Sequence, residues 1–326
     1  MNRKNLKNLI GCSLAICLIT ANCASSVVFA EKGTNKQQIQ TETSITEKIQ
    51  LDNGITLNSK EMGQGDATIV FDTGYGNSLD NFSYIQGQLS KIAKTLTYDR
   101  AGLGESSDTG NMAPLSKNDR ETLIYGGVIE YNEDDFNGTT KTAKDKAVNL
   151  YKLLQAKKLP EPYILVTHSL GGHTAIEFAK MYKEKVKGIV FIDSTGRSAN
   201  GQMYEFFETF VPGMGDEQLS VYNKQDGTLD EVLMGENQVK HDNNALRNIP
   251  LLYIECDPYA MAQGAMGDAF AKLKVKQIDD ILSMSDYTKH VQIKGATHQV
   301  HTDKPEETLA YITEFINSIK NNIKEG

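Results

Sequence analysis

The stretch Tyr163-Ile164-Leu165-Val166-Thr167-His168-Ser169-Leu170-Gly171-Gly172 decides the reading of this chain. Tyr163 to Thr167 is a short apolar run of the kind that forms a buried strand. Gly172 to Tyr182 has helical spacing. Ser169 falls on the tight turn between them. A strand that turns sharply into a helix through a serine holds the hydroxyl clear of the backbone, and the first N–H groups of the helix point at the same spot. The turn needs small neighbours. Gly171 meets that need two residues on, while Thr167, two residues before, is larger and is expected to crowd the turn slightly. Developing negative charge is stabilised at such a place, so Ser169 is expected to be a nucleophile.

Outward from this elbow, short apolar runs alternate with helical patterns. Residues 67–71, 95–98, 188–192, 251–254 and 290–293 read as strands. Residues 82–92, 142–154 and 306–319 read as helices, the second with Ala143, Ala147, Leu150, Leu153 and Leu154 on one stripe and stopped by Pro160 and Pro162. Alternation of this kind predicts an α/β fold built on a mostly parallel, doubly wound sheet with helices on both faces. Ligand sites in such sheets lie at the carboxyl ends of the strands, so the residues just after each strand are the ones to search.

A serine hydroxyl is a weak nucleophile without a base. Of the six histidines, His298 is placed best, in the loop Gly295-Ala296-Thr297-His298 between the run ending at Ile293 and the last helix. His301 is the runner-up. His168 and His173 flank the nucleophile and are expected to pack or hydrogen-bond rather than react. The carboxylate that orients the imidazole is Asp193 or Asp257, each directly after a strand; Asp193 is favoured because it stands at the tip of its strand. Turn forming is the competing role for either. Two N–H donors should bind an oxyanion: Leu170, after the nucleophile, and Tyr75, in the loop Asp72-Thr73-Gly74-Tyr75-Gly76, whose glycines allow close backbone approach.

Taken together, FDTGYG at 71–76, YDRAGLGESSD at 98–108, THSLGG at 167–172, GIVFIDS at 188–194 and GATHQVHTDKPE at 295–306 resemble the α/β-hydrolase superfamily of lipases, esterases and peptidases. The resemblance covers roughly residues 46–197 and 248–320. It implies an α/β-hydrolase fold with a helical cap inserted between strands, and the order nucleophile, acid, histidine found here. Thr73-Gly74 stands where the family usually has His-Gly. The nucleophile is Ser169 rather than Asp, so the dehalogenase and epoxide-hydrolase chemistry of related members is not implied, although those relatives place their acid where Asp193 lies. Arg100 is expected to pair with loop carboxylates.

Two stretches interrupt the alternation. Residues 105–140 are largely polar, and Glu130, Glu133, Asp134 and Asp135 read as a solvated face. Residues 198–247 carry Met203, Tyr204, Phe206, Phe207, Phe210, Val211 and Met214. They read as a cap whose apolar underside faces the pocket, which favours an apolar acyl or alcohol group; an ordinary helical excursion with its own core contacts is the competing reading.

The first thirty residues read as an address. Arg3, Lys4 and Lys7 precede an apolar run and a small-x-small end at Val28-Phe29-Ala30, the layout of a cleaved secretory signal. Retention as an uncleaved anchor is the alternative, and Cys12 and Cys23 raise a lipid-anchored variant. Residues 31–45 read as a flexible leader. The chain of 326 residues has a net charge of −8; residues 1–30 hold three cations and no acid, so 296 residues at −11 would remain. Such a balance argues against nucleic acid as the main partner. Of the four cysteines only Cys256 lies beyond residue 30, so no intramolecular disulfide is expected in an exported form.

The expected activity is a serine hydrolase that cleaves a carboxylic ester through an acyl-enzyme, with no cofactor and no metal called for. The substrate would be a small-molecule ester or amide; no stable membrane span is expected after cleavage, and the oligomeric state is open. An aminopeptidase or amidase of the same fold would need a carboxylate such as Glu205, Glu208 or Glu231 to hold a substrate amine. A secreted binding protein that has lost turnover is the third reading.

Overall fold

The computed structural model describes residues 44–222, 225–241 and 244–321. The expected signal segment and all but the end of the expected leader lie outside the described residues. Among them, eight strands form one sheet in the order β1-β2-β4-β3-β5-β6-β7-β8. β1 (Ile45–Gln50) and β2 (Thr56–Met62) form an antiparallel hairpin that joins β4 (Lys94–Tyr98) at one edge. The expected leader therefore ends sooner than residue 45, because Ile45 already pairs with Glu61.

The remaining strands, β3 (Thr68–Asp72), β5 (Tyr163–His168), β6 (Val186–Ile192), β7 (Leu251–Glu255) and β8 (Thr288–Gln292), are mutually parallel. Every residue of β3, β5 and β7 is buried, as sheets covered on both faces require. β4 lies on one side of β3 and β5 on the other, so the winding reverses there, and the crevice at that point is where open α/β sheets bind ligands.

The helices flank this sheet. α1 (Ser83–Leu89) follows β3 and α2 (Lys117–Ile124) lies within the polar stretch after β4. α3 (Ala143–Ala156) opens on a capping box between Thr142 and Asp145 and buries the stripe read from its sequence. Each fully buried Leu of that stripe contributes about 1.5–3 kcal/mol of transfer free energy. α4 (Gly171–Met181) starts at the elbow. The 198–247 insert forms α5 (Ala199–Phe210), α6 (Met214–Leu219) and α7 (Leu229–Lys240). α8 (Pro258–Met261) and the long α9 (Gly264–Leu282) lie between β7 and β8, and α10 (Val300–Asp303) and α11 (Pro305–Asn321) close the described chain.

One expectation changes. Phe206, Phe207, Val211 and Met214 join the core layer that also holds Ile192, Phe270 and Ile312, so the aromatic stripe of the insert is core rather than pocket wall. It packs inward because its neighbours there, α9 and the sheet, offer apolar surface. Residues 105–140, whose relation to the site the sequence leaves open, attach to the insert. Arg120 pairs with Asp230 at 2.6 Å, Met112 N–H donates to Glu231, and the Asn237 amide donates to Ile129 C=O. Glu130, Glu133, Asp134 and Asp135 are exposed.

Candidate active site

Ser169 sits at φ +51° at the end of β5, and Asp193 at φ +43° at the end of β6. With Lys158 they are the non-glycine residues of positive φ among the described residues. Such backbone costs about 1–3 kcal/mol per residue and persists only where the surroundings enforce it. The enforcement is visible in the hydrogen bonds. Ser169 N–H donates to Ile192 C=O at 3.3 Å, Thr195 N–H donates to Ser169 C=O at 2.8 Å, and Asp193 N–H donates to Ile254 C=O at 2.8 Å.

Thr167 does not crowd the elbow. Its hydroxyl lies toward β6, 3.3 Å from Val190 C=O and 3.1 Å from Ser194 Oγ, while Ser194 Oγ donates to Thr167 C=O at 3.0 Å. The two strand tips are thereby stitched together. Gly171 is needed for a different reason: a Cβ there would stand 2.6 Å from Asp72 C=O, so only glycine lets α4 start this close to the loop after β3.

His298 Nε2 lies 3.0 Å from Ser169 Oγ, and His298 Nδ1 lies 2.6 Å from Asp193 Oδ2. Ser169, His298 and Asp193 are thus in one hydrogen-bonded row. Asp257 is elsewhere. It caps α8 by accepting from Tyr259 N–H at 3.0 Å and accepts from Gly295 N–H at 2.9 Å, so it shapes the histidine loop without touching the imidazole. That loop is further held by Thr297 N–H to Asp303 at 2.8 Å, by His298 N–H to Met261 Sδ at 3.2 Å, and by His168, whose Nε2–H donates to His298 C=O at 2.9 Å. His301 turns away from Ser169: its Nε2 meets Asn81 Oδ1 at 2.7 Å and its ring stacks on Phe82. His173 meets Gly196 C=O at 2.9 Å.

Electrostatics separates these histidines. Burial drives His168 well below the usual imidazole range, with His301 and His298 adding to the effect. Burial takes His173 down to about 4 and, with His298, His301 down to about 3. All three are neutral packing and hydrogen-bonding groups near neutrality. Burial alone would raise the Asp193 carboxyl, but the Lys274 ammonium and the His298 N–H outweigh it and hold Asp193 far below the carboxylate range. Lys274, on α9, is 5% exposed and places Nζ 2.7 Å from Asp193 Oδ1. Sequence reading missed it: α9 was not singled out, and a lysine in the alternating run Lys272-Leu273-Lys274-Val275-Lys276 looks like a surface residue.

The loop Asp72–Gly76 is fixed from beneath by Arg100. The guanidinium reaches Asp72, Thr73 C=O at 2.6 Å, Gly74 C=O at 2.7 Å and Asp226 Oδ2 at 2.5 Å. The expected pairing with loop carboxylates is what the geometry contains, with Asp226 of the insert as the second partner. Asp226 also accepts from Gly76 N–H at 2.9 Å and faces Lys146 Nζ at 3.2 Å, while Tyr75 Oη donates to Gly227 C=O at 2.8 Å. Burial would raise Asp226, but Arg100 and Lys146 bring it down to about 2.

A cavity open to solvent lies beside Ser169. Tyr75 and Leu170, the two expected oxyanion donors, both line it, as do Gly74 and Asn77. The insert contributes Ala199, Asn200, Met203, Gln218 and Tyr222, and α9 contributes Phe270, Lys274 and Gln277. The lining is therefore mixed, with Asn200, Gln218, Lys274 and Gln277 against Met203 and Phe270. Glu205, Glu208 and Glu231 do not line it. Glu208 is spent on Gly213 and Gly215 N–H groups, Glu231 on the α7 capping box and on Met112 and Lys141 N–H groups, and Glu205 lies in a separate groove with Tyr125 and Lys276. Among the described residues no helix is long and apolar enough to cross a membrane.

Comparison with known proteins agrees with this architecture. The chain is 26% identical over 245 residues to the uncharacterized protein YqjL of Bacillus subtilis (strain 168), covering 74% of this chain and 81% of that one. A thermophilic esterase from Thermogutta terrifontis superposes with a TM-score of 0.54 at 16% identity, over 84% of this chain and 99% of that one. The epoxide hydrolase CorEH superposes with a TM-score of 0.54 at 13% identity, over 85% and 100%. The family profile described as alpha/beta hydrolase fold matches residues 67–305, which span the elbow, the strand-tip carboxylate and the histidine loop; the chain belongs to the alpha/beta hydrolase family.

Proposed function

We propose that this hydrolase cleaves a carboxylic ester through a Ser169–His298–Asp193 triad and an acyl-enzyme. The observation that carries the reading is the row from Ser169 Oγ to His298 Nε2 at 3.0 Å and from His298 Nδ1 to Asp193 at 2.6 Å. His298 accepts the Ser169 proton as Oγ attacks the carbonyl carbon. The resulting imidazolium is stabilised by Asp193 and then protonates the leaving alcohol. Water deprotonated by His298 attacks the acyl-enzyme, and the proton returns to Ser169 Oγ as the acid leaves. Backbone N–H groups of Leu170 and Tyr75 bind the oxyanion in both halves. One such donor is worth about 2.7–4 kcal/mol.

The polar share of the lining supports a small ester with a hydrogen-bonding group over a long aliphatic one. The absence of a glutamate from the described lining speaks against an aminopeptidase, which must hold a substrate ammonium. The basic, then apolar, then small-residue order of residues 1–30 supports export, with the 198–247 insert as the cap. The experiment is hydrolysis of aryl esters of increasing acyl length, and of an aminoacyl amide, by wild type and Ser169→Ala. Ester turnover lost in the variant, with short or polar acyl groups preferred, is the expected result. Turnover that survives Ser169→Ala removes the proposal, and failure of a fluorophosphonate to label Ser169 would favour a binding protein instead.

A further inference from the structure

The acid corner of the site contains a group that the triad chemistry does not call for. Asp193 uses Oδ2 for His298 Nδ1 at 2.6 Å, and Oδ1 accepts from Cys256 N–H at 3.3 Å. Those neutral donors would already orient a carboxylate. Lys274 Nζ nevertheless reaches the same Oδ1 at 2.7 Å from α9, with Tyr253 Oη 3.4 Å away, and the residue is almost wholly buried. An ammonium withdrawn from water is expensive unless it is paired, and it changes what neutral donors leave unchanged: the net charge of the corner.

We propose that Lys274 is a positioning residue for the proton relay: its ammonium fixes Asp193 with Oδ2 toward His298 and offsets the carboxylate's charge, which extends activity toward acid pH. The inference rests on the catalytic roles proposed above for Ser169, His298 and Asp193. With a neutral imidazole the corner carries no net charge when Lys274 is present and one negative charge without it. Proton uptake by the coupled Asp193–His298 pair is favoured in the second case and opposed in the first.

The other groups packed on this corner do not supply the same effect. His168 on β5 and His301 on α10 are held neutral by burial down to acid pH. On β7 and just after it, burial pushes the Tyr253 phenol and the Cys256 thiol up, so both stay neutral. Glu255, next to Cys256, is engaged by His290 at 3.0 Å and Gln292 at 3.1 Å. Lys274 is the cation in direct contact with the triad carboxylate.

The test is the pH dependence of fluorophosphonate labelling of Ser169, run beside kcat/KM on an aryl ester, for wild type, Lys274→Met, Lys274→Gln and Lys274→Arg. The neutral variants are expected to move the acid limb upward by about one pH unit, with a much smaller change on the plateau, and Lys274→Arg is expected to keep the wild-type limb. A packing role lowers rates at every pH without moving the limb, and that result overturns the proposal. So does a limb that stays or moves down, or failure of both neutral variants to fold while Lys274→Arg folds. Wild-type Ser169 that takes no label at any pH sinks the catalytic reading instead, so the two failures are told apart.

Discussion

Two buried aspartates, Asp193 and Asp226, are each clasped by cations and held below the ordinary carboxylate range, yet their clusters have different tasks. Asp193 stands at a strand tip, shares its two oxygens between His298 and Lys274, and faces the cavity. Asp226 stands in the insert, meets Arg100, Lys146 and Gly76 N–H, and ties that insert to the loop after β3. Under the proposed mechanism, one cluster sets the charge next to the reacting group. The other fastens two parts of the chain together. Burial with a cation does not by itself mark a catalytic acid; what separates the two is whether an imidazole aimed at a nucleophile completes the cluster.

The largest expected effect separates them on activity. Asp193→Asn should lower kcat by about 10⁴-fold in an aryl-ester assay while the melting transition remains cooperative; a loss no greater than that of Asp226→Asn would dissolve the contrast. On stability the two should resemble each other, because Asp193→Asn also leaves a buried ammonium, that of Lys274, unpaired. Asp226→Asn takes the buried counter-charge from Lys146 and leaves Arg100 with Asp72 alone, and should destabilise the protein by on the order of 3–5 kcal/mol, read by urea unfolding at neutral pH. An unchanged midpoint would show that the clamp holds nothing.

The third effect is smaller and depends on pH. The Asp226 carboxyl is lowered from 3.8 to about 2, so its contribution is complete above pH 4 and is lost as pH falls toward 2. The advantage of wild type over Asp226→Asn should shrink by roughly 2 kcal/mol across that interval, measured by unfolding at matched ionic strength. An advantage that grows on acidification would reverse the sign. The smallest effect belongs to Asp257→Asn, which removes one loop-shaping acceptor. It should cost about 1 kcal/mol of stability and leave kcat within about threefold; a collapse of kcat would make Asp257, and not Asp193, the acid.

Ser169 and His298 were legible in the sequence because strand, turn and glycine chemistry are local. THSLGG and the loop before the last helix each announce themselves within a few residues. The strand-tip position favours Asp193 over Asp257 without deciding between them, since both follow apolar strands. What distinguishes them is three-dimensional: Asp193 adopts φ +43° and points across to the imidazole, while Asp257 turns back to cap α8. Lys274 and Asp226 were not legible at all. The first is 81 residues from its partner and looks like a solvated helix lysine; the second sits in Gln225-Asp226-Gly227-Thr228, which reads as an ordinary turn. The aromatic stripe of the insert was misassigned because periodicity tells that a face is buried but not against what.

The cavity wall has a divided origin: Asn200, Met203 and Gln218 come from the insert after β6, whereas Phe270, Lys274 and Gln277 come from α9, after β7. On the proposed reading of the cavity, specificity in this hydrolase is therefore not a portable module. Grafting residues 198–247 onto a relative would transplant half a recognition surface and detach it from the Arg100 clasp that seats it. Exchange of substrate preference between such proteins has to move two separated segments and the core arginine that seats one of them together, which makes gradual point substitution within the existing wall the shorter route to a new substrate.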